Sequence, residues 1–188
     1  MREITVHLLR HGAPIREGLM LGRTDEAPLP AGIDRCFARA EGLDIAAVVA
    51  SDLARAALPA ARIAASIGLV PNFDARWREL DFGHWDGQTP ERLPREALAR
   101  FWQDPDRNPP PDGERWSNLR SRVAAALAEI DRPTLVVAHG GSIRAALSLL
   151  LGLDHRQVWA FDLPYAALVS LRLWQGSIPT AQVTGLQT

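Results

Sequence analysis

The stretch "TLVVAHGGSIRAALSLLLGL" (134–153) decides the architecture. It begins as a near-continuous apolar run up to His139, the pattern of a strand whose two faces are both covered by helices. Two glycines follow, and a helical pattern then occupies 142–151. "ITVHLL" (4–9) and "IAAVVA" (45–50) are apolar runs of the same kind. "ALVSLRLW" (167–174) alternates more clearly and belongs nearer an edge, and "AQVTGL" (181–186) reads as a final antiparallel strand. Further helical patterns cover about 31–42, 53–67, 90–103, 114–130 and 154–160. Alternation of this kind predicts an α/β protein, a three-layer α/β/α sandwich around a mostly parallel central sheet.

Length and composition narrow the rest. The chain has 188 residues, the size of one compact domain, and 47% hydrophobic with 23% charged residues is ordinary for a globular protein. A single domain over 1–188 is expected. The proline-rich stretch "QDPDRNPPPDGE" (103–114) is too stiff and polar for a core and falls within a lid-like segment around 84–117. A net charge of −1 offers no global field for nucleic acid or an anionic membrane. Cys36 is the only cysteine, which excludes an internal disulfide and any CxxC metal site. No apolar stretch is long enough to span a bilayer, and a cytoplasmic location is expected.

Parallel sheets bind ligands beyond the carboxyl ends of their strands. The first strand ends in Arg10-His11-Gly12, and the second runs into "SDLARA" (51–56), which puts Arg55 in the first turn of a helix. The strand at 134–139 ends in His139, followed by Gly140-Gly141-Ser142. Two arginines and two histidines therefore converge on one edge. Guanidinium forks grip phosphate oxygens, and Gly140 and Gly141 present free N–H groups at the positive end of a helix. A histidine held against a phosphoryl group can bind it or attack it. "WRELDFGHWDG" (77–87) supplies Glu79 and Asp81 as acids for the leaving alcohol. Metal-dependent hydrolysis is disfavoured, since arginines beside the histidines oppose a cation.

"LLRHG", "SDLARA", "RELDFGHWDG" and "VVAHGGSIR" occur in the order and at spacings similar to those of the histidine phosphatase superfamily, the phosphoglycerate mutase-like proteins. The resemblance spans about 4–175. "FWQDP…PPPDGE" (101–114) and "LPYAALVSL" (163–171) resemble the α-ribazole phosphatase branch, which acts in cobalamin assembly. The resemblance implies His11 as the nucleophile forming a phosphohistidine, Glu79 as the proton donor, and Arg10, Arg55, His139 and Gly140 as holders of the phosphoryl group. It implies no metal and no organic cofactor. The expected partner is a small phosphomonoester, and the expected activity is its hydrolysis. A phosphoglycerate mutase-type transferase and a non-catalytic phosphate-binding module are the alternatives.

The chain departs from the family pattern after the RHG. Ala13-Pro14-Ile15-Arg16-Glu17 lacks the asparagine that helps bind phosphate in relatives; Arg16 and Arg23 are the candidates to compensate, and the sequence places neither. Pro59 predicts a helix kink one turn after Arg55. Trp85, Trp102 and Trp116 are the tryptophans best placed to stack on a substrate ring. His84 and His155 read as solvated.

Overall fold

The computed structural model describes residues 3–174 and 180–188. Six strands form one sheet, β1 (Glu3–Arg10), β2 (Ala47–Ala50), β3 (Asn72–Phe73), β4 (Thr134–Ala138), β5 (Leu168–Trp174) and β6 (Thr180–Gln187), in the order β3-β2-β4-β1-β5-β6. β3, β2, β4 and β1 run parallel, and β5 and β6 are added antiparallel. The predicted mostly parallel sheet and its antiparallel end are both present.

Helices cover both faces. α1 (Pro30–Ala40) and α2 (Ala54–Ser66) pack against Leu135, Val137, Val48, Ala50 and Leu9. α4 (Trp116–Leu127) and α5 (Gly140–Leu151) pack against Val136, Ala138, Val6, Leu8 and Val169 on the other side. Alternate residues of β4 thus enter different cores and all five are buried, which is why its sequence shows no alternation. Among the described residues no helix is long and apolar enough to cross a membrane.

Two helical patterns take a different form in the structure. The segment from 90 splits into a short 3₁₀ turn, Pro90–Arg92, and α3 (Arg95–Gln103). Leu93 precedes a proline and is extended there, with φ −83° and ψ 153°. The helical pattern at 154–160 is a 3₁₀ turn, Gln157–Ala160, where the Asp154 carboxylate accepts the Arg156 and Gln157 N–H groups at 2.8 Å each. α2 matches the helical pattern over 53–67 and runs through Pro59, which is buried inside it.

The register places the site. Arg10 pairs with Ala138, and the His11 N–H donates to the Ala138 carbonyl at 2.9 Å. The first residue after β1 therefore lies beside His139, the first after β4. Ser51, the first after β2, donates to the Val137 carbonyl at 3.0 Å and brings α2 to the same edge. Gly12 is obligatory here, since a Cβ would overlap the Gly32 backbone of α1.

Candidate active site

His11 and His139 lie with ring centroids 5.0 Å apart, and the Tyr165 ring is 5.5 Å from His11. His11 Nδ1 is 2.7 Å from the Gly12 carbonyl oxygen, which can only accept, so Nδ1 carries the proton and Nε2 keeps its lone pair. The backbone is pinned as well. The His11 carbonyl accepts from the N–H of Ala166, a residue in the left-handed region at φ 61°.

The arginines are fixed by backbone carbonyls. Arg10 Nη1 donates to Leu163 at 2.5 Å, and its guanidinium carbon lies 4.4 Å from the Tyr165 ring centroid. Arg55 is fully buried and donates to the Thr24, Leu21 and Gly22 carbonyls at 2.7, 2.9 and 2.9 Å. That loop is itself held by Asp86, whose carboxylate accepts the N–H groups of Gly22, Arg23 and Thr24.

Glu79 sits across the cleft. Its Oε1 accepts from the Leu80 N–H at 2.8 Å, and its Oε2 from the Gly141 N–H at 3.0 Å in the first turn of α5. A Cβ at position 141 would strike Oε1, so the glycine lets the carboxylate reach the helix end. Arg122 clamps the loop from below, bonding the carbonyls of Arg76, Arg78 and Glu79 while forking onto Glu114. Asp81 turns away, accepting from the Gly83 N–H and pairing with Arg23 at 3.4 Å.

Arg10, His11, Glu79, Gly140, Arg144 and Tyr165 line a cavity of about 360 Å³, with Arg55 and His139 buried behind its wall. Leu80, Phe82, Phe101, Trp102, Trp116 and Trp159 give it apolar walls. Six buried side-chain nitrogens among the described residues have no hydrogen-bond partner. Five belong to Arg10, Arg55, His139 and Arg144, around this cleft. Unpartnered buried donors are costly and rare, so their concentration marks a site built for an acceptor-rich group.

Several expectations need correcting. Arg16 pairs with Glu26 on the surface and Arg23 with Asp81, so neither lines the cavity in place of the absent asparagine. Trp85 is buried in the core, edge-on to Phe101, and Trp159 takes its place on the cavity wall. His155 is half-buried and borders the cavity, hydrogen-bonded to the Gln103 carbonyl, whereas His84 is exposed and pairs with Asp112 outside it. Sequence reasoning missed Arg144 and Tyr165. Among the described residues no group of three or more His, Cys, Asp or Glu could hold a metal ion.

Both imidazoles are held neutral. Burial, Arg10 and Arg55 lower His11 well below 6.5, against the Gly12 carbonyl; burial, Arg55, His11, Arg10 and Arg122 do the same to His139. The unfolded chain takes up these protons near 6.5, so below that pH it binds more protons than the folded protein. Between pH 6.5 and 5.5 stability should fall by about 1 kcal/mol for each such histidine, steepening toward about 1.4 kcal/mol per pH unit below that. His7, lowered by burial, adds a further part. Urea unfolding between pH 6.5 and 5.5 in phosphate-free buffer measures the slope, which should be shallower in His11→Ala.

Comparison with known proteins agrees with this geometry. The model of the histidine phosphatase superfamily (branch 1) matches residues 6–183. The chain belongs to that superfamily. It is 32% identical over 173 residues to the glucosyl-3-phosphoglycerate phosphatase of Mycobacterium tuberculosis, covering 81% of this chain and 78% of that one. It is 33% identical over 174 residues to "Probable phosphoglycerate mutase GpmB" of Salmonella arizonae, covering 84% and 78%. The structure of the mycobacterial glucosyl-3-phosphoglycerate phosphatase superposes with a TM-score of 0.84 at 28% identity, over 97% of this chain and 98% of that one. An Escherichia coli protein described as an alpha-ribazole-5'-P phosphatase candidate shares the fold, with a TM-score of 0.85 at 21% identity over 98% and 96%.

Proposed function

We propose that this histidine phosphatase superfamily protein hydrolyses small phosphomonoesters through a phosphohistidine at His11. The unpartnered nitrogens of Arg10, Arg55 and His139 beside a neutral imidazole carry the reading. In the first step His11 Nε2 attacks phosphorus and the ester P–O bond breaks, while Glu79 delivers a proton to the departing oxygen. The Gly12 carbonyl receives the Nδ1 proton's hydrogen bond and stabilises charge that develops on the ring. In the second step water attacks the phosphohistidine, Glu79 takes the water's proton, and His11 and inorganic phosphate are released. Arg10 and Arg55 neutralise charge on the phosphoryl oxygens in both transition states, and neutral His139 and the Gly140 N–H donate hydrogen bonds to them.

The reaction is proposed to need no metal, and the segment around 84–117 to act as a cap that encloses the alcohol portion. Residues Phe101, Trp102 and Trp116 of that segment offer flat apolar surface. They support α-ribazole 5'-phosphate as the substrate to test first, and a cytoplasmic role in cobalamin assembly with it. Steady-state hydrolysis of that ester, 3-phosphoglycerate, sugar phosphates, nucleoside monophosphates and phosphotyrosine, with EDTA present, tests the reading. EDTA-resistant turnover with the highest kcat/KM on α-ribazole 5'-phosphate is the expected result. Broad turnover without that preference overturns the named substrate. Conversion of 3-phosphoglycerate to its isomer without phosphate release would establish the mutase alternative.

A further inference from the structure

Arg144 lies on α5 five residues after His139, and phosphoryl transfer to His11 does not require it. Its guanidinium carbon stands 3.8 Å from the Trp159 ring centroid, and its Nε is buried without a hydrogen-bond partner. A Cβ built on Gly140 would meet Arg144 Nη1 at 3.1 Å and Arg10 Nε at 3.7 Å, so the two guanidinium groups flank the first residue of the helix. Two positive groups repel on one side of a cleft, and an anionic or oxygen-bearing ligand there relieves that repulsion. Arg144 borders the same cavity as Glu79 and His11.

Its place along the cleft distinguishes it from Arg10 and Arg55. Gly140, beside its Nη1, is followed by Gly141, whose N–H binds the Glu79 carboxylate, so Arg144 stands on the side of the proton donor, where the alcohol portion of a substrate must lie. Burial lowers it to about 10, so it remains charged at neutral pH. Arg10 and Arg55 together match a phosphoryl dianion, which leaves Arg144 as an additional cation. When Glu79 is protonated to act as an acid, the nearby carboxylate charge is lost. Stacking on Trp159 covers one face of the guanidinium and leaves its N–H edge for a ligand.

We propose that Arg144 is a specificity residue that donates to an oxygen acceptor on the alcohol portion of the substrate, a carboxylate or a hydroxyl close to the ester oxygen, and that Trp159 positions it. The proposal rests on the phosphomonoesterase reading of this site and deepens it. It distinguishes esters by what lies next to the phosphate, not by the phosphate itself.

The test compares three esters on wild type and Arg144→Leu. These are 3-phosphoglycerate, with a carboxylate; α-ribazole 5'-phosphate, with sugar hydroxyls; and phenyl phosphate, with no oxygen outside the phosphate. For at least one oxygen-bearing ester KM should rise about ten- to a hundredfold in the variant, the range of a hydrogen bond to a charged group. Phenyl phosphate kinetics should stay within about twofold, which also shows that the variant folds. A loss confined to 3-phosphoglycerate and partly restored by Arg144→Lys identifies the carboxylate; a loss confined to α-ribazole 5'-phosphate identifies the hydroxyl. An equal loss on phenyl phosphate, or no loss on any ester, overturns the proposal. Calorimetric binding of the same esters to His11→Ala, with and without Arg144→Leu, reads the selection without turnover. Inert wild-type protein would remove the phosphatase reading, and this binding comparison would still decide the role of Arg144.

Discussion

His11→Ala protein is expected to fold and to show no measurable turnover of any phosphomonoester. The fold should survive because the backbone of residue 11 supplies the structural bonds: its N–H to Ala138 and its carbonyl from Ala166 do not involve the ring. The imidazole contacts His139 and Tyr165 at the cleft rather than filling either apolar core. The chemistry should not survive. Removing a covalent nucleophile costs on the order of 10⁶ in kcat where it has been measured, and among the described residues lining this cavity there is no serine, threonine or cysteine to replace it. Cys36 is buried and its thiol is pushed up to about 12, which keeps it protonated and inert. Rapid quenching of wild type with a labelled ester should trap an acid-labile, alkali-stable phosphoryl group on the protein, and His11→Ala should trap none. Label retained in the variant would mean that another residue, His139 first, is the nucleophile.

The parts of this arrangement legible in the sequence are those governed by local pattern. Near-continuous apolar runs such as 134–138 announce a sheet covered on both faces, and a charged residue immediately after such a run has to lie at a strand end. Arg10, His11 and His139 are readable for that reason, and register then places His11 beside His139. β3 was not readable because two exposed residues, Asn72 and Phe73, carry no periodicity. The start of α3 was misplaced because propensity over 90–94 favours a helix while Pro94 forbids the helical conformation to Leu93.

Residues that act through the backbone of other segments were invisible. Asp86 holds the loop whose carbonyls hold Arg55, and Arg122 fixes the Glu79 loop through three carbonyls. Their partners lie more than forty residues away in sequence, so no spacing rule connects them. Arg144 was hidden by a different cause. An arginine on a helix is ordinarily a solvated residue, and only the tertiary position of Trp159 turns this one toward the cleft. Tryptophan assignment failed for a related reason: an apolar ring gives the same sequence signal in a core, as Trp85 does, or on a cavity wall, as Trp159 does.

Glu79→Gln should slow kcat/KM for alkyl phosphomonoesters by about 10²–10⁴, the usual contribution of a general acid, and leave kcat/KM for p-nitrophenyl phosphate nearly unchanged. An alkoxide cannot depart at neutral pH without a proton, whereas p-nitrophenolate can. The comparison must use kcat/KM, because that ratio reports only the steps through phosphoryl transfer to His11. The subsequent hydrolysis needs the carboxylate as a base for water, so kcat should fall for both substrates. With p-nitrophenyl phosphate the variant should therefore release a burst of p-nitrophenolate equal to the enzyme present, followed by slow turnover. The substitution also carries a structural cost, since Glu79 accepts from both Leu80 and Gly141 N–H groups and the glutamine amide can accept through one atom only. The donor left facing an NH₂ group should lower stability by about 1–3 kcal/mol, visible as a lower urea midpoint. That structural loss affects every substrate alike, so it cannot imitate a dependence on the leaving group. Equal slowing of kcat/KM for alkyl and p-nitrophenyl esters, with no burst, would remove Glu79 from the proton-transfer role and leave it as the residue that ties the 76–80 loop to the first turn of α5.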